Sequence, residues 1–114
     1  RLVSEVQVEC GAVQAMSYCL MENLSPENGR IRADNFHDYL IATSLDVPPV
    51  EHEFFETIDP HGPYGAKGLA ETAINPTAAA IGNAIFHATG ARLRSLPFTP
   101  ERVLAAIDEV RSGY

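Results

Sequence analysis

The sequence predicts an α+β fold in which about three helices stand beside a small layer of short strands. Three observations carry this. Apolar residues recur at helical spacing between Val8 and Glu22, Thr77 to Ala88 is almost uniformly small or apolar, and Thr99-Pro100-Glu101 opens a third stretch with an apolar stripe. Ser25-Pro26-Glu27-Asn28-Gly29 has the chemistry of a tight turn between strands. Val50, Phe54 and Ile58 alternate with Glu51, Glu53 and Thr57, as on a strand with one buried face. At 114 residues the chain fits one domain, and no repeat, low-complexity tract or internal boundary divides it.

In the first helix Val13, Met16 and Leu20 form the apolar face, and Gly11, Ala12 and Ala15 permit close packing. Gln7, Gln14 and Glu22 are its polar members, whose ordinary role is solvated or capping. Cys10 and Cys19 lie more than two turns apart on this helix, so they cannot bridge each other. Two thiols without metal-ligand spacing predict buried, apolar use in a reducing, cytoplasmic compartment.

Pro26 pre-sets one dihedral and Asn28-Gly29 tolerates positive φ, so short strands are expected on either side, near Met21 to Leu24 and Arg30 to Ala33. Asn35 to Thr43 ends in an apolar, partly β-branched run and reads as another strand. His37 beside Asp38 lacks a third ligand at metal spacing, which favours surface hydrogen bonding. Asp46-Val47-Pro48-Pro49 then breaks the chain, because consecutive prolines enforce extended backbone. Phe55 interrupts the alternation that follows, and Glu51 and Glu53 form a solvated face.

The stretch Gly62-Pro63-Tyr64-Gly65-Ala66-Lys67-Gly68-Leu69-Ala70-Glu71 organises the rest. Its glycines and proline rule out an ordinary helix or central strand, leaving a shaped loop whose bare backbone can approach a ligand closely. It ends in one carboxylate, Glu71, followed by an apolar helix. A general base must reach the proton it takes, and burial tunes its pKa. The residues alone leave both a surface and a catalytic role open for Glu71. A phosphate-binding loop is excluded, since it needs Ser or Thr after its Lys and here Gly68 follows Lys67. Lys67 either steadies anionic groups or packs its stem along the loop, and Tyr64 either lines an entrance or packs.

Beyond the loop, Asn75 is placed as a cap with Pro76 at the first helical position, and Gly90 is the expected stop. The composition of Thr77 to Ala88 predicts burial on most sides. Arg92 and Arg94 are expected to pair with neighbouring carboxylates. In the last helix Thr99 caps, Pro100 takes the first position, Glu101 complements the positive end and Gly113 stops the stripe of Val103, Leu104, Ile107 and Val110. Fifteen acidic against eight basic residues give a net charge of −7, which opposes nucleic-acid binding. No apolar run approaches a membrane span and no export-signal pattern is present.

Gly65 to Glu71, then Asn75-Pro76-Thr77, Ile81 to Ile85, Ala88-Thr89-Gly90 and Leu96-Pro97-Phe98-Thr99-Pro100-Glu101, resemble the C-terminal end of the xanthine dehydrogenase / aldehyde oxidase family, the molybdenum hydroxylases. The resemblance runs from about Val6 to the end, and several motifs in one order make it specific where a lone glycine-rich loop would be weak. It implies that residues 1–114 are the C-terminal portion of a larger molybdopterin-binding domain. The opening Arg1 in place of Met gives the same expectation of a fragment.

Carried onto matching positions, the resemblance makes Glu71 the active-site base beside the metal, and assigns cofactor contact to Gln7, in the setting Gln7-Val8-Glu9, and to Gly68 and Ala70. No residue of the chain is assigned as a metal ligand. The implied cofactor is molybdenum-molybdopterin, the cytosine dinucleotide form being one option, with the dithiolene holding a metal that carries oxo, sulfido and hydroxide ligands. Glu71 would deprotonate that hydroxide for attack on an electron-poor carbon of an N-heterocycle or aldehyde, hydride passing to the sulfido group. Iron–sulfur clusters and FAD would lie in other subunits or domains, as no cluster-binding cysteines occur here. The implied partners are those parts, the remainder of the molybdenum subunit and the small-molecule substrate.

Some positions depart from the family pattern. Ala70 stands where Gly commonly precedes the Glu, Thr72-Ala73-Ile74 replaces a proline-containing segment, and Cys10, Ala15 and Ser17 replace frequent glycines. These changes bear on substrate class and pocket width and retain the carboxylate. The chain on its own is expected to bind no cofactor, to be inactive, and to self-associate through apolar surface left by the missing parts. The rival reading is a stand-alone structural or interaction domain without catalysis.

Overall fold

A computed structural model describes residues 1–113. Its elements are helix α1 (Leu2–Leu20), strands β1 (Pro26–Glu27) and β2 (Arg30–Ile31), a 3₁₀ turn at Pro63–Gly65, and helices α2 (Ile74–Thr89) and α3 (Pro100–Ser112). The α+β class with three helices is therefore as the sequence predicts. α1 starts earlier than the apolar periodicity requires, because Glu5 lies in its positively polarised first turn and pairs with Arg1 at 2.9 Å.

The strands are fewer and shorter than expected. β1 and β2 pair antiparallel, Pro26 with Ile31 and Glu27 with Arg30, around Asn28 (φ 52°) and Gly29 (φ 76°). Two consecutive left-handed residues match the twist of a two-residue hairpin, so the turn chemistry holds. The first strand lies inside the turn motif, and Met21 to Leu24 forms no strand, Met21 being tied back to α1 through its N–H to Ser17 O at 2.9 Å. Of Arg30 to Ala33 only Arg30 and Ile31 pair.

Asn35 to Thr43 is likewise not a strand. The Asn35 side-chain oxygen accepts from the N–H groups of His37 (2.9 Å) and Asp38 (3.3 Å), a local turn that competes with ladder formation. Its far end is tied to α1 by Ala42 N–H donating to Ser17 Oγ at 2.9 Å and by the Tyr39 hydroxyl donating to Glu22. Val50 to Ile58 also forms no strand. Val50, His52 and Phe54 turn inward while Glu51 and Glu53 face out, but Phe55 and Ile58 are exposed. Alternating burial follows from extended backbone alone, whereas a strand also needs a neighbouring edge to receive its hydrogen bonds.

α2 begins before its expected cap. Ala73 precedes the first turn without a side-chain cap, and Pro76 sits inside that turn, where a missing N–H costs nothing because those donors have no intrahelical partner. Gly90 (φ 76°) ends α2 in the left-handed conformation that a side chain would resist. The expected all-round burial does not appear: Gly82 alone is fully buried in α2, and Ala79, Ala80, Ala84 and Ala88 are exposed. α3 matches expectation, with Thr99 Oγ1 accepting from Arg102 N–H, Pro100 in the first turn and Gly113 (φ 80°) at the end.

The main helix packing is α1 on α2. The core is small: Ala15, Cys19, Ala91 and Phe98, with Phe98 N–H donating to Cys19 O at 2.7 Å. A Cβ on Gly82 would lie 3.3 Å from the Phe98 ring, so the missing side chain lets that ring seat. The radius of gyration is 17.7 Å, against about 13 Å for a compact domain of this length. Leu2, Val3, Phe36, Leu45, Phe55 and Ile58 are among the large apolar side chains left exposed. No helix among the described residues is long and apolar enough to cross a membrane.

Both thiols are free, but only Cys19 is buried; Cys10 is exposed, contrary to the expectation for both. Burial pushes the Cys19 thiol above its ordinary value, which lowers its thiolate fraction. In timed alkylation of the native chain at mild alkaline pH, Cys10 is expected to react at least about tenfold faster than Cys19. Equal rates, read by mass spectrometry, would contradict the packing of α1.

Candidate functional site

The loop from Gly62 to Glu71 is shaped by its own backbone. Gly65 N–H donates to Gly62 O and Ala66 N–H to Pro63 O, each at 3.0 Å, while Asp59 N–H closes the preceding segment onto Gly65 O at 3.1 Å. A Cβ on Gly62 would fall 2.1 Å from Ala66 O, and one on Gly65 would fall 2.8 Å from Ile58 Cγ2. These two glycines are required by close approach. Gly68 differs: nothing lies within 4 Å of where its Cβ would be.

Gly65, Lys67, Gly68 and Leu69 form one wall of a groove of about 900 Å³, with Phe54 and Thr57 among the residues opposite. Lys67 Nζ donates to Thr57 Oγ1 across it, so this lysine is a strut between loop and groove wall. Tyr64 has a left-handed φ of 55° and is fully exposed, so the expectation that it packs does not hold. A second, more apolar groove of about 660 Å³ lies between α1 and residues 41–50, bounded by Cys10, Val13, Ser17 and Ile41. It is separate from the loop.

Three of the four residues singled out from the sequence meet at the end of the loop. Gln7 Nε2 donates to Ala70 O at 2.5 Å, joining positions 63 residues apart. Glu71 follows directly and is exposed. Its carbonyl accepts from Ile74 N–H at 3.1 Å as α2 begins, and Thr72 Oγ1 donates to Leu69 O at 3.0 Å. One turn along α1 from Gln7, a Cβ on Gly11 would meet Ala73 Cβ at 3.2 Å and Ile74 Cγ1 at 3.4 Å. Gln7 and Gly11 therefore present one face of α1 to residues 70–74. Gly68 stays on the groove side.

Other expectations resolve variously. His37 and Asp38 are exposed in the Asn35 turn, in keeping with surface hydrogen bonding, and among the described residues no group of three or more His, Cys, Asp or Glu could hold a metal. Arg92 does not pair with a carboxylate: its Nη1 donates to Asn83 Oδ1 at 2.7 Å and its guanidinium lies 3.8 Å from the Phe86 ring centroid. His52, which the periodicity does not mark, packs edge-on against Phe54 with its ring nitrogens 3.9 and 3.8 Å from Glu5 and Glu9. Glu5 and Glu9 are four apart on one helix face, the only trace of this cluster in the sequence.

Helix α1 and the end of the loop meet beside the exposed Glu71, and the family described as the molybdopterin cofactor-binding domain matches residues 1–48. The xanthine dehydrogenase molybdenum-binding subunit of Escherichia coli O157:H7 is 38% identical over 104 residues, covering 90% of this chain and 14% of that protein. A nicotinate dehydrogenase component from Pseudomonas putida is 38% identical over 101 residues, covering 89% of this chain and 8% of that protein. Among solved structures, quinoline 2-oxidoreductase from Pseudomonas putida 86 superposes with a TM-score of 0.86 at 32% identity, covering 95% of this chain and 14% of that one. The chain belongs to the molybdopterin-binding part of the xanthine dehydrogenase / aldehyde oxidase family of molybdenum hydroxylases.

The residues present fit such a group. Open space beside Gly68 and the remaining hydrogen-bonding capacity of Gln7 suit a cofactor held by amide groups and bringing its own metal ligands. The two kinds of glycine separate experimentally. Gly62→Ala is expected to destabilise the loop by about 1–3 kcal/mol, because Ala66 O must move. Gly68→Ala should leave thermal stability within about 0.5 kcal/mol of the parent in the absence of cofactor. Melting curves of the two variants check this.

Proposed function

We propose that this chain supplies the base-bearing loop and a cofactor-facing helix of a molybdenum-dependent oxidoreductase that hydroxylates a small N-heterocycle or aldehyde with oxygen derived from water. The observation that carries the reading is the meeting of Gln7 and Ala70 beside an exposed Glu71. Residues that the family pattern assigns to one site are distant in sequence and adjacent in space. The names of the relatives, a xanthine, a nicotinate and a quinoline enzyme, favour an N-heteroaromatic substrate class. When bound, molybdenum-molybdopterin, of which the cytosine dinucleotide form is one candidate, supplies the oxidative hydroxylation chemistry.

What this chain adds is placement and proton transfer. Gly68 leaves its backbone bare beside the groove, and Gln7 and the Ala70 peptide border the cofactor. The Glu71 carboxylate, at the end of a flexible side chain, takes the proton released as water-derived oxygen is transferred. The remainder of the molybdenum subunit, with iron–sulfur and flavin parts that carry electrons away, completes the enzyme, and the two free thiols suit a cytoplasmic location. The exposed apolar residues and open shape favour a chain that is one portion of a larger cofactor-binding domain and inactive alone.

In the complete molybdenum subunit, Glu71→Gln is expected to keep the molybdenum content while turnover falls by about two orders of magnitude or more; near-normal turnover would remove the base assignment. The 114-residue chain purified alone should contain no molybdenum by metal analysis. Stoichiometric metal there would show that the cofactor needs no other segment.

A further inference from the structure

We infer that Gln7 is a positioning residue for Glu71, its side-chain amide clamping the Ala70–Glu71 peptide from a helix 63 residues away in sequence. This rests on the reading of Glu71 as the base. A peptide unit is planar, so fixing the Ala70 oxygen fixes the direction in which the chain enters Glu71. The following peptide is also held, because Glu71 O accepts from Ile74 N–H at 3.1 Å. Both flanking carbonyls are tied while the side chain remains free to reach outward. Gly11 sets the distance on the same helix face: its missing Cβ lets Ala73 and Ile74 lie against α1.

Glutamine suits this task better than its isosteres. Its amide carries two N–H donors and an accepting oxygen, so one N–H can hold Ala70 O while the oxygen and second N–H remain for a cofactor. Methionine offers no donor, and an ionised glutamate would oppose the carbonyl. One side chain thereby links the cofactor's border to the order of the segment that carries the base.

The test uses the complete molybdenum subunit with its cofactor. In Gln7→Met, amide hydrogen exchange at residues 70–73 is expected to quicken at least about tenfold, and kcat per bound molybdenum to fall about 10–100-fold. In a Glu71→Gln background the same substitution should cause no further loss of kcat, because the two act as one unit. Gln7→Glu, which keeps the shape and removes the donor, should repeat the pattern if the methionine variant folds poorly. Unchanged exchange at residues 70–73, molybdenum loss as the cause of lost activity, or multiplicative losses in the double variant would each overturn the inference. Near-normal turnover of Glu71→Gln alone would instead remove the base reading, while the exchange result still reports on the clamp.

Discussion

The structure depends on the approach of α1 to the first turn of α2. Without it, a long glycine-rich loop would end in a carboxylate of undefined position. Two features of α1 bring the chain ends of that loop to one place: an absent side chain at Gly11 and a hydrogen-bonding one at Gln7. The first provides contact distance, and the second gives the Ala70 carbonyl a partner that α2 cannot supply, since it lies before the helix begins. A single neutral hydrogen bond contributes about 1 kcal/mol, so the effect here is directional more than stabilising.

The rest of the chain is held around α1 by similarly local means. Ser17 and Glu22 capture the 39–42 segment, Cys19 O captures Phe98, and Arg102 returns from α3 to the carbonyls of Leu96 and Pro97 at 2.8 and 3.2 Å. Helices joined mainly through such ties, with a four-residue apolar core and broad apolar exposure, match a chain that spans 14% of the length of a relative it otherwise resembles along most of its own.

Besides Cys19, three groups have their titration shifted by the fold, and they serve structure. Tyr39 is raised because its hydroxyl donates to Glu22, a contact present at neutral pH and lost once alkaline titration passes its raised value. Asp46 is lowered by the N–H and hydroxyl of Thr43, and Glu101 by its own N–H and Thr99 at the start of α3; these contacts are lost as acid titration falls through the lowered values. None of the three lies in the loop. The loop's form rests on backbone geometry and on close approach at Gly62 and Gly65, and Glu71 at its end is exposed.

Helices were legible because each carries its own signals: small and apolar residues at helical spacing in α1, Thr99-Pro100 before α3, Gly90 and Gly113 after α2 and α3. The hairpin turn was legible from Asn28-Gly29 for the same reason. Strands at Asn35 to Thr43 and Val50 to Ile58 were not, because β structure depends on a partner edge that no local pattern encodes, and in the first of them Ser17 and Asn35 take the hydrogen bonds instead. Sequence by itself determined the family and the bare loop that ends in Glu71, since these reside in residue types and their order. Tertiary structure alone decided that Gln7 reaches Ala70, that Lys67 spans to Thr57 and that Gly62 and Gly68 differ in kind, because each depends on which distant backbone happens to lie within a few ångströms.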